Sequence, residues 1–366
     1  MEGNIPEIRL KGFTGAWVQR RLGDILKVNS GRDYKHLNCG DIPVYGTGGY
    51  MLSVNDSLSE EDAVGIGRKG TIDKPQFLKA PFWTVDTLFF ITPKPNNDLG
   101  FLFALSQDIE WAKLDESTSI PSLSKTSIDS VLRYVPEFDE QTAIGEFFRT
   151  LDENITLHKR KLDGLREIKK GYLQQMFPQV GETVPRVRFE GFTDTWEWHE
   201  LRNVANFFNE KRVPIDSRLR TAGEYPYYGA TGIIDYVHDY IFDGEYVLLA
   251  EDGANIVNRN SPIAYLTKGK FWLNNHAHIM AMKSGDNSFL LQLLEKQNYK
   301  NLNTGTAQPK LNSEVVKKMA FLFPEEKEQT AIGDFFRNLE NQITTQSQKV
   351  EQLKQLKAAY LQKMFV

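Results

Sequence analysis

Cysteine is nearly missing from this chain of 366 residues, which contains only Cys39. A single thiol excludes an intramolecular disulfide framework and a thiolate-bound zinc cluster, and it favours a reducing compartment such as the cytoplasm. Long hydrophobic runs are also lacking, because no stretch of about 18 apolar residues occurs, and the first residues do not resemble a signal peptide. The sequence therefore predicts neither a membrane span nor a leader.

An excess of positive charge is absent as well. The chain has 44 Lys and Arg against 48 Asp and Glu, which gives a net charge of −4 at pH 7. Free-standing DNA-binding proteins usually present a strongly basic surface, so the composition does not indicate a protein that binds DNA alone. The length predicts two to three soluble globular domains.

Motifs of common catalytic sites are also missing. The chain has neither a G-x-x-x-x-G-K-[ST] phosphate-binding loop nor the Asn-Pro-Pro-aromatic or Asp-Pro-Pro-aromatic tetrapeptide of amino-methyltransferases. The spacing of Gly65, Gly67 and Gly70 fits G-x-G-x-x-G, but Pro75 follows too soon for the helix of a dinucleotide site. His276 and the histidine at 278 could both bind a metal ion, but no third ligand is evident nearby in the sequence. We therefore predict no catalytic residue and no metal site.

What the chain does have is an internal repeat. Residues 6–17 recur as residues 185–196, and both copies contain Gly-Phe-Thr-x-x-Trp. Residues 139–177 recur as residues 327–365 with 20 of 39 positions identical, where chance would give about two. The sequence therefore predicts a duplicated module.

The repeats at 139–177 and 327–365 are predicted to be long helices, because both lack proline and both follow one. Apolar residues recur at alternating steps of four and three, the period of a coiled-coil seam. We expect the helices to pair antiparallel; docking of each on its own half is the alternative. Lys169 and Lys357 interrupt the stripe, and we expect Ile168 and Leu356 to fill part of that gap. The predicted seam is Ile144, Phe148, Leu151, Ile155, Leu162 and Leu165 with Ile332, Phe336, Leu339, Ile343, Val350 and Leu353.

The segments ahead of the helices, 14–136 and 193–324, contain short alternating apolar runs separated by glycine turns, which predict strands. The predicted fold class is α+β, with two homologous, mostly β modules separated by two long helices that form a pseudo-twofold antiparallel coiled coil. The predicted domains are residues 1–138, 139–178, 179–325 and 326–366.

Basic and small polar residues cluster in the turns of both modules. These residue types hold phosphates and read base edges, although Ser, Thr and Asn are also common simply because they form turns. Charge reverses from Arg68 to the equivalent Glu251, which favours modules that recognise different things; drift on a surface loop is the alternative. The DNA-binding candidates are Arg68, Lys69, Lys74, Ser119, Ser122 and Lys125, and then Asn255, Arg259, Asn275, Thr306, Gln308 and Lys310.

Several motifs together resemble the DNA-specificity subunit of Type I restriction-modification systems. They are the repeated Gly-Phe-Thr-x-x-Trp, the Arg-Lys-Gly-Thr-Ile loop at 68–72, Ile-Pro-Ser-Leu-Ser at 120–124, and Pro-x-x-x-Glu-Gln-Thr-Ala-Ile-Gly-x-Phe-Phe at both helix starts. The resemblance covers nearly the whole chain.

The resemblance implies two target-recognition domains, each of which reads one half of a split site in double-stranded DNA. It also implies two methyltransferase subunits and two restriction or motor subunits as partners. S-adenosylmethionine, ATP and Mg²⁺ would be bound by those partners, and this chain would need no cofactor. A basic surface contributed by the partners would account for the acidic balance.

Two other classes of function stay open. One is a duplicated coiled-coil scaffold or lectin-like binding module without a DNA function. The other is a fused enzyme whose motif is not recognisable. Co-purification with an adenine methyltransferase would favour the specificity subunit, whereas activity of the isolated chain would favour the enzyme.

Overall fold

A computed structural model describes residues 4–115, 117–305 and 308–366. The chain forms two compact units: unit 1 contains Met1–Arg160 and Ser347–Val366, and unit 2 contains Lys161–Gln346. Each long helix is divided between the units, so the units do not coincide with the four predicted segments. The boundaries after residues 138, 178 and 325 stay a prediction.

Unit 1 contains a four-stranded antiparallel sheet in the order β2-β8-β5-β6, a three-stranded sheet in the order β4-β3-β7, and the pair β1-β9. β3 and β7 are parallel to each other. The strands are β1 (Val18–Arg21), β2 (Leu26–Ser30), β3 (Cys39–Gly46), β4 (Gly49–Val54), β5 (Ala63–Gly67), β6 (Gln76–Leu78), β7 (Trp83–Thr84), β8 (Leu88–Pro93) and β9 (Leu132–Val135). The short helices are α1 (Leu22–Ile25), α2 (Leu99–Asp108) and α3 (Lys125–Ser130).

Unit 2 repeats this plan with a merged sheet and one additional short helix. Its strand β15 is ten residues long and takes the place of both β6 and β7, so the two larger sheets merge into one of six strands, β11-β16-β14-β15-β12-β13. The strands are β10 (Glu197–Glu200), β11 (Ala205–Phe207), β12 (Ala222–Gly229), β13 (Gly232–Val237), β14 (Phe242–Ala250), β15 (Ala264–Leu273), β16 (Ala277–Met282) and β17 (Ala320–Phe323). The short helices are α5 (Leu201–Val204), α6 (Asn255–Asn258), α7 (Asn287–Lys296) and α8 (Ser313–Lys317).

The long helices are α4 (Phe138–Gln175) and α9 (Glu326–Met364), each about 57 Å long at 1.5 Å per residue. Within unit 1, the rings of Phe147 and Tyr360 are 4.9 Å apart and Lys357 bonds Asp152 at 2.6 Å. Residue numbers rise along α4 as they fall along α9, so the segments are antiparallel. In unit 2, the Tyr172–Phe335 contact and the Lys169–Glu340 ion pair give the same direction. The predicted mixed α+β modules and antiparallel helices are confirmed.

The two lysines that interrupt the seam are therefore satisfied by carboxylates on the facing helix. The expectation that Ile168 and Leu356 fill this gap is wrong, because both side chains are exposed. Each acidic partner lies far away in sequence from the lysine that it meets.

Burial along the seam is uneven. Near the helix starts the seam residues join the cores of the units: Ile144 and Phe148 lie with Trp17 in unit 1, and Ile332 and Phe336 lie with Trp196 in unit 2. The predicted pairing is confirmed and the alternative of two separate helices is wrong, although each helix also packs on a globular core. Of the remaining positions, Leu162, Leu339 and Val350 are buried, and Leu151, Ile155, Leu165, Ile343 and Leu353 are half-buried.

The repeated motifs meet at a buried ion pair in each unit. Arg9 donates two hydrogen bonds to Glu140 at 2.7 and 2.6 Å, and the Trp17 indole N–H points to the same carboxylate at 3.3 Å. In unit 2, Arg188 binds Glu328 at 2.6 and 2.7 Å, and Trp196 follows at 3.2 Å. The opening motif of each copy is thus fastened to the start of its long helix.

A glycine lets each long helix pass close to the start of a shorter one. A Cβ on Gly145 would lie 2.4 Å from Oδ1 of Asp98, which caps α2, and on Gly333 it would lie 2.0 Å from the same atom of Asp286, which caps α7. Any larger side chain would collide there. This explains the invariant end of Glu-Gln-Thr-Ala-Ile-Gly in the two copies.

In the described part of the chain, no helix is both long and apolar enough to span a bilayer.

Candidate nucleic-acid interface

Three loops of unit 1 are joined by backbone hydrogen bonds. In the loop after β5, the backbone N–H of Arg68 donates to the carbonyl oxygen of Thr87 at 2.8 Å. Thr87 lies between β7 and β8. The carbonyl oxygen of Arg68 accepts from Leu123 N, just before α3, at 2.9 Å, and Gly70 N bonds Pro121 O at 2.8 Å. Residues far apart in sequence therefore form one continuous loop surface.

Unit 2 builds the same loop surface from equivalent residues. Glu251 N donates to His276 O at 2.9 Å, and Glu251 O accepts from Leu311 N at 2.7 Å. Gly253 N bonds Pro309 O at 3.0 Å. The duplicated frame thus places Glu251 where unit 1 has its arginine.

The loop before α3 is closed by one side chain in each unit. Asp115 Oδ1 accepts from the backbone N–H of Ser117 at 3.0 Å and of Ser122 at 2.9 Å, and these bonds lower the pKa of Asp115. In unit 2, Asn303 Oδ1 accepts from Gly305 N at 2.9 Å and Lys310 N at 2.8 Å. An ionised and a neutral side chain therefore give the same loop, because each offers a carbonyl-type acceptor.

The basic candidates of unit 1 surround one aromatic ring. The guanidinium carbon of Arg68 lies 5.6 Å and the ammonium of Lys125 6.0 Å from the ring centre of Phe89. Lys69 is exposed and forms a β-bridge with Ser122. The structure thus brings four predicted residues together, while Lys74 and Ser119 are exposed on flanking loops.

A cleft of about 650 Å³ lies between the β3–β4 turn and the β7–β8 loop of unit 1. Lys35, Thr47, Tyr50, Asp86 and Thr87 are part of its lining. Tyr50 is 62% exposed, so the cleft offers an aromatic surface beside polar and basic groups. Such a mixture suits stacking and hydrogen bonding to nucleic acid.

Unit 2 carries a charged cluster on the equivalent surface. Arg212 Nη1 donates to Glu251 Oε2 at 2.6 Å and to Ala277 O at 2.8 Å. Lys310 Nζ lies 3.4 Å from the other oxygen of Glu251, and His278 Nδ1 lies 3.6 Å from Oε2. The acidic residue is therefore flanked by two cations and does not present bare negative charge.

The protonation of this cluster follows from burial and hydrogen bonding. Burial raises the pKa of Glu251, but the hydrogen bond from Arg212 and nearby positive charge outweigh it and lower the pKa overall. Burial lowers the pKa of His278, so the ring is neutral at pH 7. Its Nε2 carries the hydrogen, because Nε2 lies 2.8 Å from Leu311 O, and Nδ1 accepts from Asn209 at 3.1 Å.

The predicted residues of unit 2 fall into two groups. Asn275, Gln308 and Lys310 are exposed on the loop surface. Asn255 instead holds its own loop, with bonds to Ser261 and Pro262, and Arg259 is tied to Glu295 by its guanidinium. DNA contact by Asn255 and Arg259 stays a prediction. Thr306 lies outside the described residues.

Sequence reasoning did not assign the loop-closing roles of Asp115 and Asn303, the ion pair of Arg212, or the hydrogen-bond partners of His278. The first two are separated by 188 residues, the same offset as the helix repeats, so the alignment could have found them. Arg212 lies in a connection that is four residues longer in unit 2, since the offset between copies grows from 179 to 183. No signal in the sequence pairs it with Glu251.

A family model described as "Type I restriction modification DNA specificity domain" matches residues 15–167 and, a second time, residues 193–355. The chain belongs to this family. The two matches coincide with the two copies found by self-comparison, so the repeat is a repeat of the family's domain.

Relatives with curated descriptions match parts of the chain. A type I restriction enzyme specificity subunit from Haemophilus influenzae is 39% identical over 137 residues, which are 37% of this chain and 35% of that protein. The EcoprrI specificity subunit from Escherichia coli is 30% identical over 124 residues, or 33% of this chain and 30% of that protein. The matched regions thus span about a third of the length of these relatives.

Solved structures extend the likeness to the whole chain. A Type-I restriction-modification S subunit from M. genitalium aligns over 99% of both chains with a TM-score of 0.79 and 14% identity. A chain from a study of complex assembly in the type I R-M system covers 97% of this chain and 99% of that chain, with a TM-score of 0.51 and 15% identity. These similarities show a shared fold.

Proposed function

We propose that this chain is the DNA sequence-recognition subunit of a Type I restriction-modification complex, in which each unit reads one half of a bipartite target. The observation that carries the proposal is the loop surface found in both units. The two surfaces share a backbone frame but carry different side chains, Arg68 in one and Glu251 in the other. A duplicated frame with divergent recognition loops is suited to two unlike half-sites.

The side chains support direct contact with DNA in unit 1. Arg68, Lys69 and Lys125 supply positive charge for phosphates, and an arginine can also donate two hydrogen bonds to guanine. In unit 2, Asn275 and Gln308 are amides, which read adenine by paired donor and acceptor contacts, and Lys310 adds charge. Base reading and phosphate binding are thus both available on the proposed surface.

The catalytic steps belong, in this proposal, to partner subunits. Two methyltransferase subunits would bind S-adenosylmethionine, and two restriction or motor subunits would bind ATP and Mg²⁺. This chain would act in the cytoplasm as their non-catalytic guide to the target. The helices α4 and α9 would set the length of the unread spacer, with half-sites about one helical turn, or roughly 10 base pairs, apart.

Exchange of one module tests the proposal. Residues 14–136 are replaced by the corresponding segment of another family member, and methylated motifs are sequenced in a host that carries the methyltransferase partner. We expect one half-site to change and the other, with the spacer, to persist. Methylation that follows no split motif, or a change in both half-sites, would contradict the proposal.

Single substitutions locate the contacts within a module. Lys69→Ala should weaken binding to all sequences and lower the salt dependence of binding by about one ion. Lys354→Ala is the matched control, because that lysine lies on α9 and is paired with Glu351 across one helical turn. Equal effects of the two substitutions would remove Lys69 from the interface.

A further inference from the structure

The equivalent positions of Arg68 and Glu251 are used differently by the two units. In unit 1 the arginine is exposed, stacks over Phe89 and donates to Asp86 O at 3.3 Å. A guanidinium has five N–H donors, so this arrangement leaves donors for a ligand. In unit 2 the Glu251 side chain is only 13% exposed. The same place in the fold therefore carries an accessible cation in one unit and an enclosed carboxylate in the other.

The enclosed carboxylate belongs to a polar hub, which we define as Asn209, Arg212, Glu251 and His278. Arg212 joins Glu251 at 2.6 Å and, through Nε, the Asn209 carbonyl at 2.8 Å. The Asn209 side chain bonds Ile279 N at 3.0 Å. Three separate segments of unit 2 are thereby held together by side chains.

A fourth segment is fastened to the hub from the loop before α8. His278 Nε2 bonds Leu311 O at 2.8 Å, and Lys310 Nζ lies 3.4 Å from Glu251. Arg212 Nη1 also approaches Asn275 O at 3.4 Å. The hub therefore contacts both exposed candidates: Arg212 contacts the backbone of Asn275, and Glu251 contacts the side chain of Lys310.

Unit 1 has a cation–π contact in the place of the hub. The equivalent of His278 is Phe89, which supports Arg68 by its ring face, whereas unit 2 uses an arginine from its longer connection between β11 and β12. Buried ion pairs contribute little net stability, but they fix geometry where every partner is satisfied. Fixed geometry is what a binding site needs to discriminate between similar ligands.

We propose that Glu251 and Arg212 are positioning residues for the second half-site, which hold Asn275 and Lys310 in the arrangement that reads it, while Arg68 meets DNA directly at the first. This inference rests on the proposed function. It also explains the charge reversal between the units. Unit 1 uses Arg68 to contact DNA, whereas unit 2 uses Glu251 to hold the side chains that contact DNA.

The test measures methylation rates of the full chain in complex with a methyltransferase partner. The duplexes carry the target and every single-base change in each half-site. Glu251→Gln should lower discrimination about tenfold at two or more positions of the second half-site, without a new preferred base, and leave the first unchanged. Arg68→Gln, the matched substitution, should affect only the first half-site. Thermal unfolding of each complex separates a loss of discrimination from a loss of stability.

A second variant protects the test against misfolding. Glu251→Gln leaves a buried guanidinium without its carboxylate, whereas Glu251→Gln combined with Arg212→Gln removes both charges. We expect the double variant to unfold near the temperature of the unaltered complex and still to lack discrimination at the second half-site.

Two results would overturn the inference and leave the proposed function standing. One is a new preferred base at a single position, which would make Glu251 a direct base contact. The other is unaltered discrimination in the Glu251→Gln complex or in a stable double variant. If the unaltered complex methylates no split motif, the proposed function fails and this inference falls with it.

Discussion

Glu140 is nearly inaccessible to water, but Arg9 meets both of its oxygens and Trp17 adds a third donor. A buried carboxylate of this kind depends on its partners: loss of one partner leaves a charge that water cannot reach. The opening motif is therefore repeated because its arginine and tryptophan supply the hydrogen bonds that a buried glutamate requires in each unit. The same residue types at Arg188 and Glu328 repeat the solution.

Arg9→Met should cost about 3–5 kcal/mol of unfolding free energy, because it leaves Glu140 buried and unpaired. Adding Glu140→Gln should recover most of that loss, since the amide is neutral and still accepts from Trp17. Arg149→Met, which breaks the exposed pair with Glu153, should cost no more than about 0.5 kcal/mol. Urea unfolding measures all three, and an Arg9→Met cost as small as that of the control would refute the assignment.

His278 should make the stability depend on pH. Its folded-state pKa is lowered below 6.5, so the unfolded chain binds a proton first as the pH falls. Stability from this group is full above about pH 6.5 and declines below it until the folded-state pKa is reached. The loss of stability between pH 7.5 and 5.5 should be greater for the unaltered chain than for His278→Phe, which adopts the residue of the equivalent position. Parallel pH profiles of the two proteins in urea unfolding would contradict this.

At the scale of elements, the long helices were predicted to within two residues at each end. The prolines that precede each helix and the apolar repeat of 3.5 residues are local signals of a helix, so a single sequence contains them. The strands β5 and β16 lie in the two segments that were predicted to form strands for the same reason, because alternation and flanking turns are local. The merger of β6 and β7 into the single strand β15 carries no such signal.

Contacts between distant residues account for the predictions that failed or remained incomplete. The seam lysines meet Asp152 and Glu340, which periodicity alone does not pair with them. Arg259 was chosen for its residue type, but it is held by Glu295, 36 residues away. The loop surface as a whole was predictable from the duplicated frame, whereas the direction of each side chain depended on partners brought by the fold.

Helix crossing at Gly145 gives a prediction at this scale. Gly145→Ala should destabilise the chain by about 1–3 kcal/mol, since the new Cβ would lie 2.4 Å from Asp98 Oδ1 and 2.7 Å from Phe101 N. Gly164→Ala is the matched control within the same helix, because nothing lies within 4 Å of its Cβ. That change should stabilise the helix by about 0.5–1 kcal/mol. Thermal unfolding should therefore shift in opposite directions, and a common direction would disprove the close crossing.

At the scale of the whole molecule, the charge balance sets the conditions for DNA binding. Counterion release from DNA requires positive groups at the phosphates, but acidic residues exceed basic ones by four over the chain. The loop surface of unit 1 has several exposed cations. In unit 2, Arg212 and Lys310 are both near Glu251. The exposed cations of the loop surface therefore belong to a protein of net negative charge.

The isolated chain should therefore bind its target duplex weakly at roughly 0.15 M salt, and the complex with methyltransferase subunits should bind it tightly. Titration of a labelled duplex at several salt concentrations provides both the affinity and the number of ions released. The complex should give a slope several ions steeper than the chain alone, because the partners would supply most phosphate contacts. A duplex with both half-sites altered is the control for specificity. Tight, target-specific binding by the chain alone, with the same slope as the complex, would show that its own loop surfaces suffice and that partners add no grip on the backbone.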